Sequence, residues 1–505
     1  MDDGNEPPQS QPMVAPSQPA KSASRLFSNR WTRIALLDAA LALFAAVVIY
    51  PWASQFPGGL IRDDGFFYAQ IAYNLAAHGS SSFDLINSTD GYHQLWALIL
   101  GGMSTLLLPL TAAKWVHLLA YIAVNLYLII LTIRLLALRG LAAIAMFSLL
   151  VSCSLVMEGH LALLLCVVAL RGLEQSKDRA SPALLVPLTL LPFCRIDATV
   201  VALFLIGAAA ISGRWRVATA MVAALVAGVA FHFTYLRVVH GSFFTVSSGL
   251  KAGYDRGLLE QFVANVERGA ATAGSSIPIN PNFAVLVLLA AASVWLWVVS
   301  PPLRGRKELV ALWLGVLVFT TVHTFLNVLR PWYFTLGYGV FGYTVLAGIS
   351  TLTIGWRRPM LAAAAAVMIL PTALLGYVGI QQRGEARDVH AFIRSLDANV
   401  PADAPIFVED GSGFLGWSAN QPIVDGDGLV NSHSYAQRLN DGQLEGYLSE
   451  SGIRFFITDT APADAPVLVN IGGLVVRNED AELIAEKPGG KRYYYTQLRL
   501  WKLKE

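Results

Sequence analysis

Residues 62–96 read R-D-D-G-F-F-Y-A-Q-I-A-Y-N-L-A-A-H-G-S-S-S-F-D-L-I-N-S-T-D-G-Y-H-Q-L-W, and the rest of the chain is organised around them. Two adjacent carboxylates, Asp63 and Asp64, open the stretch. Phe67, Ile71 and Leu75 follow at a spacing of four, which puts them on one face of a helix. A helix of this kind, apolar on one side and attached to a membrane span, is expected in the plane of the membrane interface. His78-Gly79 is a C-terminal stop signal. A polar loop follows, and Gly91-Tyr92-His93 leads into the next apolar run. Two acids at a membrane surface are placed for water-side chemistry on a lipid-held substrate.

The composition supports a membrane setting. Of 505 residues, 55% are hydrophobic and 14% charged, and the mean hydropathy is +0.53. Soluble domains carry about 25% charged residues. Long apolar runs recur between residues 34 and 380, which predicts a mainly α polytopic membrane protein. A net charge of +2 gives no basis for a nucleic-acid partner. Cys153, Cys166 and Cys194 all lie in the apolar part, where thiols usually pack. The C-terminal region has none, so no disulfide framework is expected there.

Residues 1–33 read as a disordered cytoplasmic tail, polar and rich in Pro, Ser and Gln. Lys21, Arg25, Arg30 and Arg33 precede the first apolar run and place this end inside. Residues 34–54 read as an uncleaved first span, with an external loop over 55–91. Further spans are expected near 92–109, 115–137, 141–156, 159–171, 182–212 (one long or two short), 217–238, 282–300, 308–327, 333–354 and 359–380. Basic loops at 171–179, 214–216, 303–307 and 356–358 read as cytoplasmic. The parity leaves one crossing over between 92 and 156, so the expectation is about 11–13 spans. From residue 381 the pattern alternates the helical R-G-E-A-R-D-V-H-A-F-I-R-S-L and the helix-like L-N-D-G-Q-L-E-G-Y-L-S-E with three short strands, A-P-I-F-V-E-D, Q-P-I-V-D and I-R-F-F-I-T-D. That predicts a small extracytoplasmic α/β domain over 381–505.

In this order the motifs resemble the GT-C superfamily of polytopic membrane glycosyltransferases, bacterial enzymes that use polyprenyl-phosphate sugars. D-D-G-F-F-Y, the His-Gly loop and D-G-Y-H-Q-L-W resemble that family's first external loop. S-L-V-M-E-G (154–159) is similar to a Ser-Gly-Met-Glu-Thr type element, with Gly159 where a larger residue is usual. C-R-I-D-A (194–198) is similar to an Arg-Pro-Asp/Glu element, with Ile196 in place of Pro. V-H-G-S-F-F-T-V-S-S-G-L-K (239–251) and R-P-W-Y (330–333) resemble later elements. The likeness covers most of residues 34–380, and the outer α/β domain is in keeping with it.

The resemblance implies a hexosyl- or pentosyltransferase in the bacterial inner membrane, with its active site on the periplasmic side. The implied partners are the bilayer, a polyprenyl-phosphate-linked sugar donor and a cell-envelope glycan, lipid or protein acceptor. Such a transfer needs a base for the acceptor hydroxyl and positive charge for the leaving phosphate. The resemblance favours Asp63 or Asp64 as that base, in an order the sequence leaves open; a solvated acid pair capping the helix is the structural alternative. Glu158, an ionisable group at a span edge, is a candidate for acceptor binding or for orienting the base. Arg195 and Asp197 either join the binding site or form a local ion pair. Lys251 and Arg330 are candidate phosphate-binding cations or interface anchors. His93 is a candidate sugar or phosphate ligand or a structural histidine. Trp332 and Tyr333 read as an interface belt. No cofactor is required, although the acid pair is of the type that holds a divalent cation. The competing class is a multi-span transporter or flippase of a lipid-linked or small solute. Against it stand the external acid pair, the appended domain and charges gathered at span ends.

Overall fold

A computed structural model describes residues 21–53, 60–252, 281–327, 333–381, 383–459, 464–487 and 497–504. The membrane part is a helix bundle. Its elements are α1 (Lys21–Ala53), α2 (Asp63–His78), α3 (Gln94–Leu107), α4 (Lys114–Leu135), α5 (Gly140–Val151), α6 (Gly159–Gln175) and α7 (Pro182–Cys194). They continue with α8 (Thr199–Ile211), α9 (Trp215–His240), α10 (Val246–Ala252), α11 (Pro281–Val299), α12 (Lys307–Asn327), α13 (Phe334–Ser350) and α14 (Ile354–Gln381). Residues 1–20 of the expected tail lie outside the described residues, and the basic stretch from Lys21 is helical.

Among the described residues, four helices are long and apolar enough to cross a membrane by length and composition: Thr32–Ala53, Lys114–Leu135, Trp215–His240 and Ile354–Ile380. Others are shorter. With 14 residues, α3 rises about 21 Å, less than a ~30 Å hydrocarbon core. Both α3 and α5 fall in the 92–156 window where the crossings do not pair. The run 182–212 resolves into two short helices, because Arg195 is extended (φ −155°) and a 3-10 turn follows at Ile196–Ala198.

The centre of the bundle is α13, whose residues are almost all buried. Its glycines let neighbours approach closely. A Cβ at Gly339 would lie 2.5 Å from Leu163 of α6, and one at Gly348 would lie 2.9 Å from Leu296 of α11.

The C-terminal part is α/β, as the alternation predicts. It comprises α15 (Arg383–Asn399), β1 (Ile406–Val408), α16 (Ser412–Ser418), β2 (Ile423–Asp425), α17 (His433–Asn440), α18 (Leu444–Glu450) and β3 (Phe455–Thr458). Four strands beyond the expected three complete it: β4 (Val467–Ile471), β5 (Leu474–Arg477), β6 (Ala481–Glu486) and β7 (Arg499–Leu503). The main sheet runs β2-β1-β3-β7-β6. Its first three strands are parallel, and β7 and β6 add on antiparallel. The helix-like stretch L-N-D-G-Q-L-E-G-Y-L-S-E is the end of α17 followed by α18, broken beside Gly442 (φ 70°).

One expectation is corrected. The helix α2 is not apolar on one side and open on the other. Asp63, Phe66, Phe67, Tyr68, Ile71 and Asn74 are all buried, because the C-terminal α/β domain covers one face and the 154–158 loop the other. Its end is as expected: Gly79 is left-handed (φ 68°) and its N–H returns to the Leu75 carbonyl at 3.1 Å.

Candidate active site

The two acids of α2 face different surroundings. At about 100° per residue, adjacent helical positions cannot share a face. Asp63 shares its face with Phe66, Phe67 and Gln70. Its Oδ2 accepts the Gly413 N–H at 3.0 Å and its Oδ1 accepts the Phe414 N–H at 2.8 Å. The Asp63 residue is 3% exposed. Burial pushes its carboxyl up to about 7, against the pull of those two backbone donors. Asp64 is half-buried and shares its face with Tyr68 (i, i+4), which lies against Glu158.

The segment before α6 fits tightly against the start of α2. Leu155 N–H donates to the Leu60 carbonyl at 2.7 Å, and Arg62 N–H to Ser154 Oγ at 3.3 Å. A Cβ on Gly65 would lie 3.0 Å from the Leu155 carbonyl, which is why D-D is followed by Gly. Ser154 (φ 47°) and Val156 (φ 66°) are both left-handed. That is an outlier for a β-branched residue and marks a strained loop. Trp96 Nε1 secures it by donating to the Val156 carbonyl at 2.9 Å.

This loop delivers Glu158 into a buried charge network. Arg195 is the hub: Nη1 binds Glu158 Oε1, while Nε and Nη2 reach the two oxygens of Asp197 at 3.0 and 2.6 Å. Arg195 and Glu158 are 3% and 1% exposed. His93 Nε2 lies 3.5 Å from Glu158 Oε1, and His323 Nε2 lies 2.8 Å from Asp197 Oδ2. Tyr333 stacks on His323 with ring centroids 4.3 Å apart, and the Arg195 guanidinium lies 5.1 Å from the same ring. Glu158 Oε2 has no hydrogen-bond partner among the described residues. His93 N–H donates to Tyr68 Oη at 3.1 Å, which ties the network back to α2.

The structure therefore brings together His93, Glu158, Arg195 and Asp197 from the sequence reading, with Asp64 one helical turn from Tyr68. Arg195 takes both sides of the open question: it forms the local pair with Asp197 and also reaches Glu158. Gly159, a departure from the family pattern, is explained by packing, since a Cβ there would lie 2.7 Å from Thr335 Oγ1. Lys251 lies in α10, but its side chain is outside the described residues, as are Arg330 and Trp332 altogether. Sequence reading missed Tyr68 and His323 and took Tyr333 for an interface residue. The only signal for His323 was an ionisable group in an apolar run. For a divalent cation the acid pair fits poorly, since both Asp63 oxygens accept N–H donors. Among the described residues no group of three or more His, Cys, Asp or Glu is arranged to hold a metal.

The crystal structure of ArnT from Cupriavidus metallidurans bound to undecaprenyl phosphate is similar to this chain. Its TM-score is 0.52 at 12% identity, over 88% of this chain and 96% of that one. The chain has a GT-C-like membrane fold. The apo ArnT structure covers 88% of this chain and 97% of its own, at a TM-score of 0.49 and 12% identity. No family model and no curated protein matches the chain. At this identity the likeness speaks to the GT-C-like fold alone.

Proposed function

We propose that the chain is an inner-membrane glycosyltransferase that moves a hexosyl or pentosyl group from a polyprenyl-phosphate donor to a cell-envelope glycan, lipid or protein acceptor on the periplasmic side. The observation that carries this reading is the acid pair of α2 set beside a buried Glu158–Arg195–Asp197 network, on a GT-C-like fold. Asp64 is the base. Geometry ranks before pKa in choosing a base, and Asp63 has both oxygens held by backbone donors and almost no exposure.

Asp64 takes the proton of the acceptor hydroxyl as that oxygen attacks the anomeric carbon. The bond from that carbon to the phosphate oxygen breaks, and polyprenyl phosphate leaves with the electron pair. Cations stabilise the departing charge; Lys251 and Arg330 are the proposed ones. Glu158, held by Arg195, and His93 line the acceptor side.

The test is purified protein with a panel of polyprenyl-phosphate sugars and a periplasmic glycan fraction. One donor should be consumed with release of polyprenyl phosphate, and Asp64→Asn should slow this about a hundredfold or more, the scale for loss of a general base. Movement of an intact lipid-linked sugar across vesicles without its consumption would replace this reading with transport.

A further inference from the structure

The outer domain holds the catalytic helix through one short element. After β1 the chain reads E-D-G-S-G-F-L-G-W, and α16 begins at Ser412. Glycines at 411, 413 and 416 give the spacing G-x-G-x-x-G between a strand and a helix. Such glycines let a backbone approach an anion and a neighbouring element closely. Here both places are taken by the protein itself. A Cβ on Gly413 would lie 2.3 Å from the Asp63 carbonyl oxygen and 2.9 Å from its Cγ. One on Gly416 would lie 2.2 Å from the Phe83 ring. The acceptor at the turn is the carboxyl group of Asp63.

The contact continues along one face of α2. Phe66 meets Phe414 edge to face at 5.1 Å, and Phe67 meets Phe83 at 5.0 Å. At the far end Lys114 Nζ bridges Gln70 Oε1 at 2.9 Å and the Trp417 carbonyl at 3.1 Å, and it lies 5.3 Å from the Trp417 ring. Residues 63, 66, 67 and 70 are thus fixed from the start of α2 to its third turn. Fixing that face fixes the rotation of the helix about its axis, and so the direction of the other face, where Tyr68 meets the network and Asp64 lies one turn before it.

We propose that the outer α/β domain is a positioning element of the transfer reaction: the Gly413 and Phe414 backbone N–H groups clamp Asp63, and through it set the direction in which Asp64 is presented. Asp63 and Gly413 are then positioning residues and Asp64 the catalytic one. This rests on the glycosyltransferase reading above.

The test uses the full-length protein and the donor consumed in the polyprenyl-phosphate sugar panel, with binding of undecaprenyl phosphate itself as a second probe. Asp63→Asn is isosteric and keeps one acceptor oxygen, so it tests the clamp without a change in volume. Gly413→Ala tests it from the other side. Each folded variant should lose about tenfold in kcat, since small misplacements of a reacting group are costly, with donor KM and undecaprenyl phosphate binding within about twofold of the parent. A role confined to stability would lower the melting temperature and leave the kcat of the surviving protein alone. Asp63→Asn with the parent kcat would overturn the clamp and leave the glycosyltransferase reading standing. A parent protein that consumes no donor in the panel and binds no undecaprenyl phosphate would overturn that reading, and the positioning role with it.

Discussion

His433 Nε2 of the C-terminal α/β domain lies 3.1 Å from Asp90 Oδ2 at the end of the loop between α2 and α3, and the other Asp90 oxygen accepts the Val246 N–H at 2.8 Å. One buried carboxylate therefore joins three distant segments. The hydrogen bond to Asp90 raises the His433 pKa above its ordinary value of 6.5, with burial pulling the other way. A histidine whose pKa is raised on folding stabilises the folded form fully below its unfolded value. That contribution is lost as pH rises through the raised value. His240, the last residue of α9, lies near both groups. Hydrogen exchange of residues 429–440 should be slower at about pH 6 than at about pH 9 after correction for intrinsic rates. His433→Gln should remove the difference. An unchanged difference in that variant would assign it to another group.

The sequence was most legible where local signals dominate. The helix after Asp63, its stop at His78-Gly79, the strands I-F-V and F-F-I-T and the apolar bundle all follow from periodicity and turn residues. What could not be read is long-range. Asp63 and its partners Gly413 and Phe414 are separated by about three hundred and fifty residues, so nothing in D-D-G-F-F-Y shows that α2 is covered. The 80–92 loop read only as polar, yet Asn74 Nδ2 binds the Ser82 and Phe83 carbonyls at 2.9 and 3.1 Å and Asn87 Nδ2 binds Tyr447 Oη at 2.7 Å. The strands β4 and β5 form a two-stranded hairpin of their own around Gly472-Gly473, which the turn residues signal although the sequence reading gives only three strands.

Arg195 offers a stability test of the network. Its guanidinium is buried between Glu158 and Asp197, so Arg195→Met leaves two buried or half-buried carboxylates without their cation. Breaking a buried pair in this way costs about 3–5 kcal/mol. Arg195→Met should therefore reduce the amount of folded protein in detergent and lower its melting temperature. Combining it with Glu158→Gln should recover part of the loss, because the two sites are coupled. Additive losses in the double variant would show that the two side chains act independently.

His323 tests whether the network serves the reaction as well as the fold. It is held by Asp197 on one side and stacked on Tyr333 on the other. His323→Gln preserves a donor for Asp197 but loses the stacked ring. It should fold like the parent, since an amide donor satisfies the carboxylate. Transfer should nonetheless fall by roughly tenfold if the ring borders the substrate, in keeping with the modest contribution of a single oriented group. Full activity at unchanged stability would confine His323 to packing.

Sidedness can be tested with the native cysteines left in place, because Cys153, Cys166 and Cys194 are all buried. Ile86 in the loop between α2 and α3 is 46% exposed, and Asn420 in the C-terminal domain is exposed, as is Arg304 at the end of the short helix Pro301–Arg304 after α11. A membrane-impermeant maleimide added to intact cells should label Ile86→Cys and Asn420→Cys. Arg304→Cys should react only after the membrane is opened, as the excess of basic residues around 303–307 requires of a cytoplasmic loop. The contact between Asn87 and Tyr447 puts the loop between α2 and α3 and the C-terminal domain on the same side, so the first two positions must label together. Labelling of Arg304→Cys alone in intact cells would turn the protein over and place Asp64 in the cytoplasm, where the proposed periplasmic transfer could not take place.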